Sequence, residues 1–340
     1  MKSVTIEKPN ALVLNEIPEL SPMDGEVRIK VSKASICGSD VGIWHGKNPF
    51  AKYPRVIGHE FYGVIDNVGE GVDPARIGER VVVDPVVACG QCYPCSVGKP
   101  NVCESLQVIG VHRDGGFSEH ACVPSGNAYQ LPESIADEYA SMVEPFTIAA
   151  NICAYLKPTE QDIALVYGAG PMGLTAVQAL KHVYKVKEVI VAERLPERLQ
   201  RALDNGADRV IDNSQASTQS LLGETKPTII IDGACHPAIF AEAASLASPA
   251  ARIGLLGFSN SASEITQQAL TSKEISVFTS RLNSRRFPTV LDWFDKGLVA
   301  PEKIITHHFD LADIEQAMTL FEHDAKACCK VIIDINKNNS

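Results

Sequence analysis

The stretch "DIALVYGAGPMGLTAVQALKHVYKVKEVIVAER", residues 162–194, decides the fold. Its first apolar run ends on glycines, its middle has helical spacing, and its last apolar run ends on Glu193. Unbroken apolar runs of this length are strands buried on both faces, as in parallel sheets. The glycines form Gly168-x-Gly170-x-x-Gly173, after a strand and at the opening of a helix. Alone this motif is weak; in that context it is a dinucleotide site. Gly168 allows the tight turn. Gly170 lets the backbone approach a pyrophosphate, which the helix N-terminus then binds. Pro171 and Met172 share that loop. Glu193 follows Gly173 by the spacing at which a carboxylate takes the ribose hydroxyls and repels a 2′-phosphate. NAD is therefore favoured over NADP, although Arg194 weakens the preference. Arg198, in the next helix, is a further cofactor candidate.

Outward from this unit the alternation continues through "PERLQRALDNGA", "PTIIIDGA", "ARIGLLGF" and "EISVFTS". Strands alternating with helices predict a doubly wound parallel sheet over residues 146–284. Residues 1–145 read differently. "EVRIKV" alternates, with Val27, Ile29 and Val31 on one face, and "YGVIDNV" and "RVVVDPVV" follow between turns. That predicts a β-rich, antiparallel domain. The tail, 285–340, holds a helix near "FPTVLDWFDKG" and a strand in "CCKVIID", and is expected to return to the first domain. The fold class is α/β, a β-rich domain plus a Rossmann domain.

Charge and cysteine usage narrow the function. Acidic residues outnumber basic ones, 41 to 31, giving a net charge of -10. That argues against nucleic-acid binding, which needs clustered cations. Glu7, Lys8 and Pro9 interrupt the N-terminus, and no apolar run reaches the length of a membrane span. A cytoplasmic protein without membrane partners is expected. In that compartment ten cysteines point to metal binding or packing rather than disulfides.

Four of them, Cys89, Cys92, Cys95 and Cys103, lie in "CGQCYPCSVGKPNVC". Cysteines at this spacing in a Gly/Pro-rich loop can wrap one tetrahedral ion. Four thiolates leave no open position, so the zinc would be structural. Free buried thiols are the alternative. A second set is scattered: Cys37, Ser39 and Asp40 in "SICGSD", His59 and Glu60 in "VIGHEFYG", and Glu144 in "MVEPFT". Cys, His and Glu ligands from separate loops are how an open, catalytic zinc is held.

With "CGSD", "GHE", the four-cysteine lobe, "DGGFSEH", "EPF" and "GAGPMG" in this order, the sequence resembles the zinc-containing medium-chain alcohol and polyol dehydrogenases. The resemblance covers essentially the whole chain and implies a GroES-like first domain. "NPFAKYPRVIGHEFYGVID" and "SRLNSRRFPTVLDW" are similar to the bacterial hexonate 5-dehydrogenase group, which oxidises L-gulonate or L-galactonate and includes starvation-sensing relatives. The resemblance implies catalytic roles for Cys37, Ser39, Asp40, His59, Glu60 and Glu144. Cys37, His59 and a glutamate would bind the catalytic zinc, and both Glu60 and Glu144 match metal-site positions. Asp40 would orient His59, and Ser39 would contact the reacting hydroxyl. Two zinc ions and NAD are the implied cofactors, a polyol or sugar acid the partner, and a homodimer or homotetramer the assembly. Polyol and L-threonine dehydrogenases are the implied alternatives. Outside the class, a non-catalytic NAD-binding regulator would keep the fold and lose the metal set.

A sugar acid needs a cation for its carboxylate, and Arg281 and Arg113 are the candidates. One position departs from the family: where many relatives carry a proton-relaying histidine five residues after the zinc cysteine, this chain has Gly42. His45 is nearby, with surface placement as open a reading as a relay.

Overall fold

The computed structural model describes residues 1–336. The chain divides into two compact units. One comprises Met1–Glu144, Val290–Asp295 and the stretch from Ile305; the other comprises Pro145–Thr289 and Lys296–Ile304.

The first unit is built on a sheet whose strands run, in spatial order, Ala128–Gln130, Arg80–Val83, Glu60–Val68, Glu26–Ser35, Lys330–Asp334 and Ile305–Asp310. Strand His120–Pro124 also pairs with Glu26–Ser35. The pairings are antiparallel except between the last two strands, which are parallel. The alternation of "EVRIKV" is realised: Val27, Ile29 and Val31 are fully buried on one face. The Glu26–Ser35 and Glu60–Val68 strands pair through to Ser35 opposite Glu60. That register carries two chain segments to the same end of the sheet, where the loops after Ser35 and before Glu60 begin.

The second unit is a six-stranded sheet, parallel throughout. Its order is Arg209–Asp212, Glu188–Glu193, Ile163–Tyr167, Ile229–Asp232, Arg252–Leu255, Ser276–Thr279. The order reverses at Ile163–Tyr167, the strand of the quoted glycine turn. That reversal is the switch point at which doubly wound sheets bind ligands, beyond the carboxyl ends of the strands. Leu165, Tyr167, Ile190, Ala192, Ile230 and Ile253 pack into one core.

The tail differs from its sequence reading, which gives all of 285–340 to the first unit. Residues 285–289 and 296–304 lie with the second. Polar side chains of the second unit hold them there. Gln178 brackets Ala300, accepting from its N–H at 2.7 Å and donating to its carbonyl at 2.9 Å. Lys303 donates to the Asp204 carbonyl at 3.0 Å. The expected limit at 340 falls outside the described residues.

Candidate active site

Cys37 follows the long strand Glu26–Ser35 and precedes the short helix Gly38–Trp44. His59 and Glu60 stand at the start of the strand paired with it. Ligand atoms of Cys37, His59 and Glu60 all lie within 4.8 Å of one another. His59 and Glu60 are buried, and Cys37 is half-buried. One loop carboxylate links the two segments. Asp40 is fully buried and accepts from Cys37 N–H at 2.9 Å and Gly58 N–H at 3.2 Å. Its Oδ1 is 3.6 Å from His59 Nδ1, an ion-pair distance rather than a hydrogen bond. Burial disfavours charge on His59, but Asp40 and Cys37 outweigh it and raise the ring pKa well above the usual value.

Glu144 is buried close to this trio without belonging to it. Its pKa is pushed up to about 8 by burial, with His59 opposing and Glu60 reinforcing. Ser39 Oγ is buried and has no hydrogen-bond partner among the described residues. An orphaned hydroxyl beside a ligand cluster suits a group waiting for a substrate oxygen.

The sequence reading misses one member of this site. Lys330, within "CCKVIID", is 1% exposed and donates to Glu60 Oε1 at 2.7 Å and to the Ile36 carbonyl at 3.0 Å. Ser35 Oγ also bonds to Glu60. Burial alone would lower the Lys330 pKa; Glu60 and Cys37 reverse that and raise it. The only signal in the sequence is a lysine inside an apolar strand.

The second cysteine set also converges. Cys92 Sγ lies 3.4 Å from Cys95 Sγ and 3.6 Å from Cys103 Sγ, which lies 3.5 Å from Cys89 Sγ. These separations are far beyond a disulfide bond and close to the edge of about 3.8 Å implied by Zn–S bonds of about 2.3 Å. Backbone N–H groups of Gln91 and Cys92 lower the Cys89 pKa to about 6, favouring its thiolate. The donor set fits a closed tetrahedral zinc.

At the switch point, a cavity of about 550 Å³ is lined by Gly168, Gly170, Glu193, Arg194, Arg198 and Asn213, among others. Gly168 has φ +89, and a Cβ on Gly173 would sit 1.9 Å from the Gly168 carbonyl oxygen, so the turn requires both glycines. Pro171 and Met172 open the helix Pro171–Gln178. Glu193 accepts from the N–H groups of Ala169 (2.9 Å), Arg194 (2.7 Å) and Leu195 (3.1 Å). Arg198 Nη1 stands 3.9 Å from it. A carboxylate fixed by three amides at the rim fits a ribose diol.

The two carboxylate candidates fall in different places. Arg113 pairs with Glu26 and lines a cavity with Met23, Ser118 and His120 that includes none of Cys37, His59 or Glu60. Arg281 follows strand Ser276–Thr279 at its carboxyl end, its guanidinium 5.8 Å above the Phe258 ring. His45 is held by Asn10 at 2.7 Å and Glu322 at 2.8 Å, both acceptors, and so is a structural link.

Residues 23–133 match the family model for the alcohol dehydrogenase GroES-like domain, and residues 171–296 that for zinc-binding dehydrogenase. The starvation-sensing protein RspB of Escherichia coli K12 is 61% identical over 99% of this chain and its own full length. The chain belongs to the zinc-binding alcohol dehydrogenases. Among solved structures, this dehydrogenase is similar to an alcohol dehydrogenase (rspB) from E. coli CFT073 in complex with NADH. Identity is 60% and TM-score 0.96, covering 98% of this chain and 99% of that one. L-galactonate-5-dehydrogenase of E. coli K12 is 31% identical, over 93% of this chain and 94% of its own. The GroES-like and Rossmann assignments, the enzyme class acting on CH–OH donors and the cofactor set of zinc and NAD thus stand as read from the sequence. No helix among the described residues is long and apolar enough to cross a membrane.

Proposed function

We propose that this enzyme oxidises a secondary alcohol of a sugar acid, a hexonate such as L-gulonate or L-galactonate at C5, with NAD as hydride acceptor. The observation that carries the reading is the Cys37, His59 and Glu60 cluster: a thiol, an imidazole and a carboxyl from two chain segments, their ligand atoms within 4.8 Å of one another. The similarity to L-galactonate-5-dehydrogenase supports the substrate class.

Cys37, His59 and Glu60 hold the catalytic zinc, and Glu144 completes the set through water or by exchange with Glu60. Bound there, zinc supplies Lewis acidity that brings the substrate hydroxyl within reach of deprotonation near neutral pH. The chain does the rest. Asp40 ties the Cys37 and Gly58 amides together and fixes the relative position of the two loops. Lys330 neutralises Glu60, so a centre with a thiolate and two carboxyls keeps its electrophilic character. Ser39 Oγ takes the hydrogen bond of the reacting hydroxyl and, as it accepts that proton, passes its own on as the first member of a relay to solvent. Glu193 seats the ribose of the acceptor, and the Gly168–Gly173 turn seats its pyrophosphate. Arg281, at the carboxyl end of its strand, takes the substrate carboxylate, with Arg113 as the second candidate.

The test is NADH formation from aldonates, polyols and L-threonine by zinc-replete enzyme, with and without a chelator. Turnover of a hexonate in preference to its polyol, abolished by the chelator and by Arg281→Ala for the acid alone, is expected. Turnover of L-threonine but of no hexonate would replace this substrate with the amino-alcohol alternative.

A further inference from the structure

Asn151 lies in the helix Val143–Leu156 and is fully buried, among Ala149, Ala150, Ile152 and Cys153, all buried too. Asparagine is a poor residue for such a place. It favours a helix less than alanine does, and its amide loses water on burial. One segment satisfies that amide: residues 280–286, which follow the strand Ser276–Thr279. Asn151 Nδ2 donates to Ser280 Oγ at 2.8 Å and to the Leu282 carbonyl at 3.4 Å. Its Oδ1 accepts from Ser284 N–H at 3.3 Å and from Arg286 Nε at 3.4 Å.

The segment is neither helix nor strand, yet Asn283 and Ser284 within it are buried. Its backbone passes twice through the left-handed region, at Leu282 (φ 51) and Arg285 (φ 56), where residues with side chains are strained. Ser280 N–H still bonds to the sheet, at the Leu255 carbonyl, 3.1 Å away. Beyond that bond a strained path persists only where its surroundings hold it. Asn151 holds Ser280 and Leu282, the residues on either side of Arg281.

We propose that Asn151 is the positioning residue for Arg281 and, through it, sets the preference for a sugar acid over a neutral polyol. The inference rests on the assignment of Arg281 to the substrate carboxylate. The amide fixes the backbone before and after Arg281, so the side chain departs from one point. The Phe258 ring, 5.8 Å below the guanidinium, restrains its far end. A guanidinium meets a carboxylate through a planar fork, so its placement decides the strength of the contact. Loosening the segment therefore weakens the acid and spares a substrate without a carboxylate.

The test is steady-state turnover of L-galactonate and galactitol by the zinc-replete enzyme, read as the ratio of kcat/KM for the acid to that for the polyol. The wild type should prefer the acid. Asn151→Leu should lower the ratio about tenfold, through the KM of the acid. Asn151→Asp keeps an acceptor for Ser284 and Arg286 and can accept from the Ser280 hydroxyl, so it should restore most of the ratio. Arg281→Ala should bring the ratio close to one, and adding Asn151→Leu to it should lower it no further. An unchanged ratio in Asn151→Leu, equal losses on acid and polyol, or a further fall in the double variant would overturn the inference. If Asn151→Leu does not fold, Ser280→Ala removes only the shortest of the four bonds. Its ratio should fall about threefold, and an unchanged ratio would likewise overturn the inference. A wild type without preference for the acid would overturn the assignment of Arg281 itself, and the inference with it.

Discussion

Lys330 and Glu60 are each about 1% exposed and face each other across the end of the catalytic sheet. A buried pair of this kind adds little net stability against an apolar alternative, but removing one member strands the other. Lys330→Met should therefore lower unfolding stability by about 3–5 kcal/mol in denaturant titration. Adding Glu60→Gln should recover part of that loss, because the stranded charge is gone. Ser39 makes the opposite prediction. Its hydroxyl has no hydrogen-bond partner among the described residues, so Ser39→Ala should leave the melting temperature unchanged and reduce kcat by about 10²–10⁴-fold. That Cys37, His59 and Glu60 could come together as candidate ligands was legible because Cys, His and Glu carry a chemical signature in short motifs. Lys330 was not, because pairing of Ser35 with Glu60 and of Ile332 with Ser35 is long-range register, set by three strands far apart in sequence.

Among elements, the cysteine lobe and the strand Ile163–Tyr167 carry separate consequences. Cys92→Ser should lose one zinc per chain and lower stability more than turnover per folded molecule, measured by thermal unfolding beside active-site titration. Abolished hydride transfer with unchanged stability would make the lobe catalytic instead. At the start of the other strand, Asp162 accepts from Thr159 N–H (2.8 Å) and Oγ1 (2.9 Å) and Thr228 Oγ1 (2.7 Å), and pairs with Arg252. Burial would raise its pKa, but these bonds outweigh burial and hold it below the usual carboxylate value. A folded pKa below the unfolded one gives stability that is full above about pH 4 and is lost as pH falls through the folded value. Asp162→Asn should cost about 2 kcal/mol at neutral pH and flatten the acid limb of the stability profile. The parallel strands were legible from apolar runs. Strand Arg209–Asp212 was not singled out: it is a four-residue edge strand bounded by charged residues and only partly buried.

At the scale of the whole molecule, the change from alternation to buried runs marked where the β-rich part gives way to the Rossmann part. The course of 285–304 was not legible. It turns on side-chain bonds to Ala300 and Lys303 that no periodicity encodes. The central claim is that the conspicuous four-cysteine motif is structural and the reacting zinc is the one held by scattered residues. Zinc content by mass spectrometry, measured with NADH turnover on wild type and Cys37→Ser, tests it directly. The account predicts two zinc ions per wild-type chain. Cys37→Ser should hold one, remain folded, still bind NADH and have lost turnover. A Cys37→Ser enzyme that keeps both ions and full turnover would contradict it.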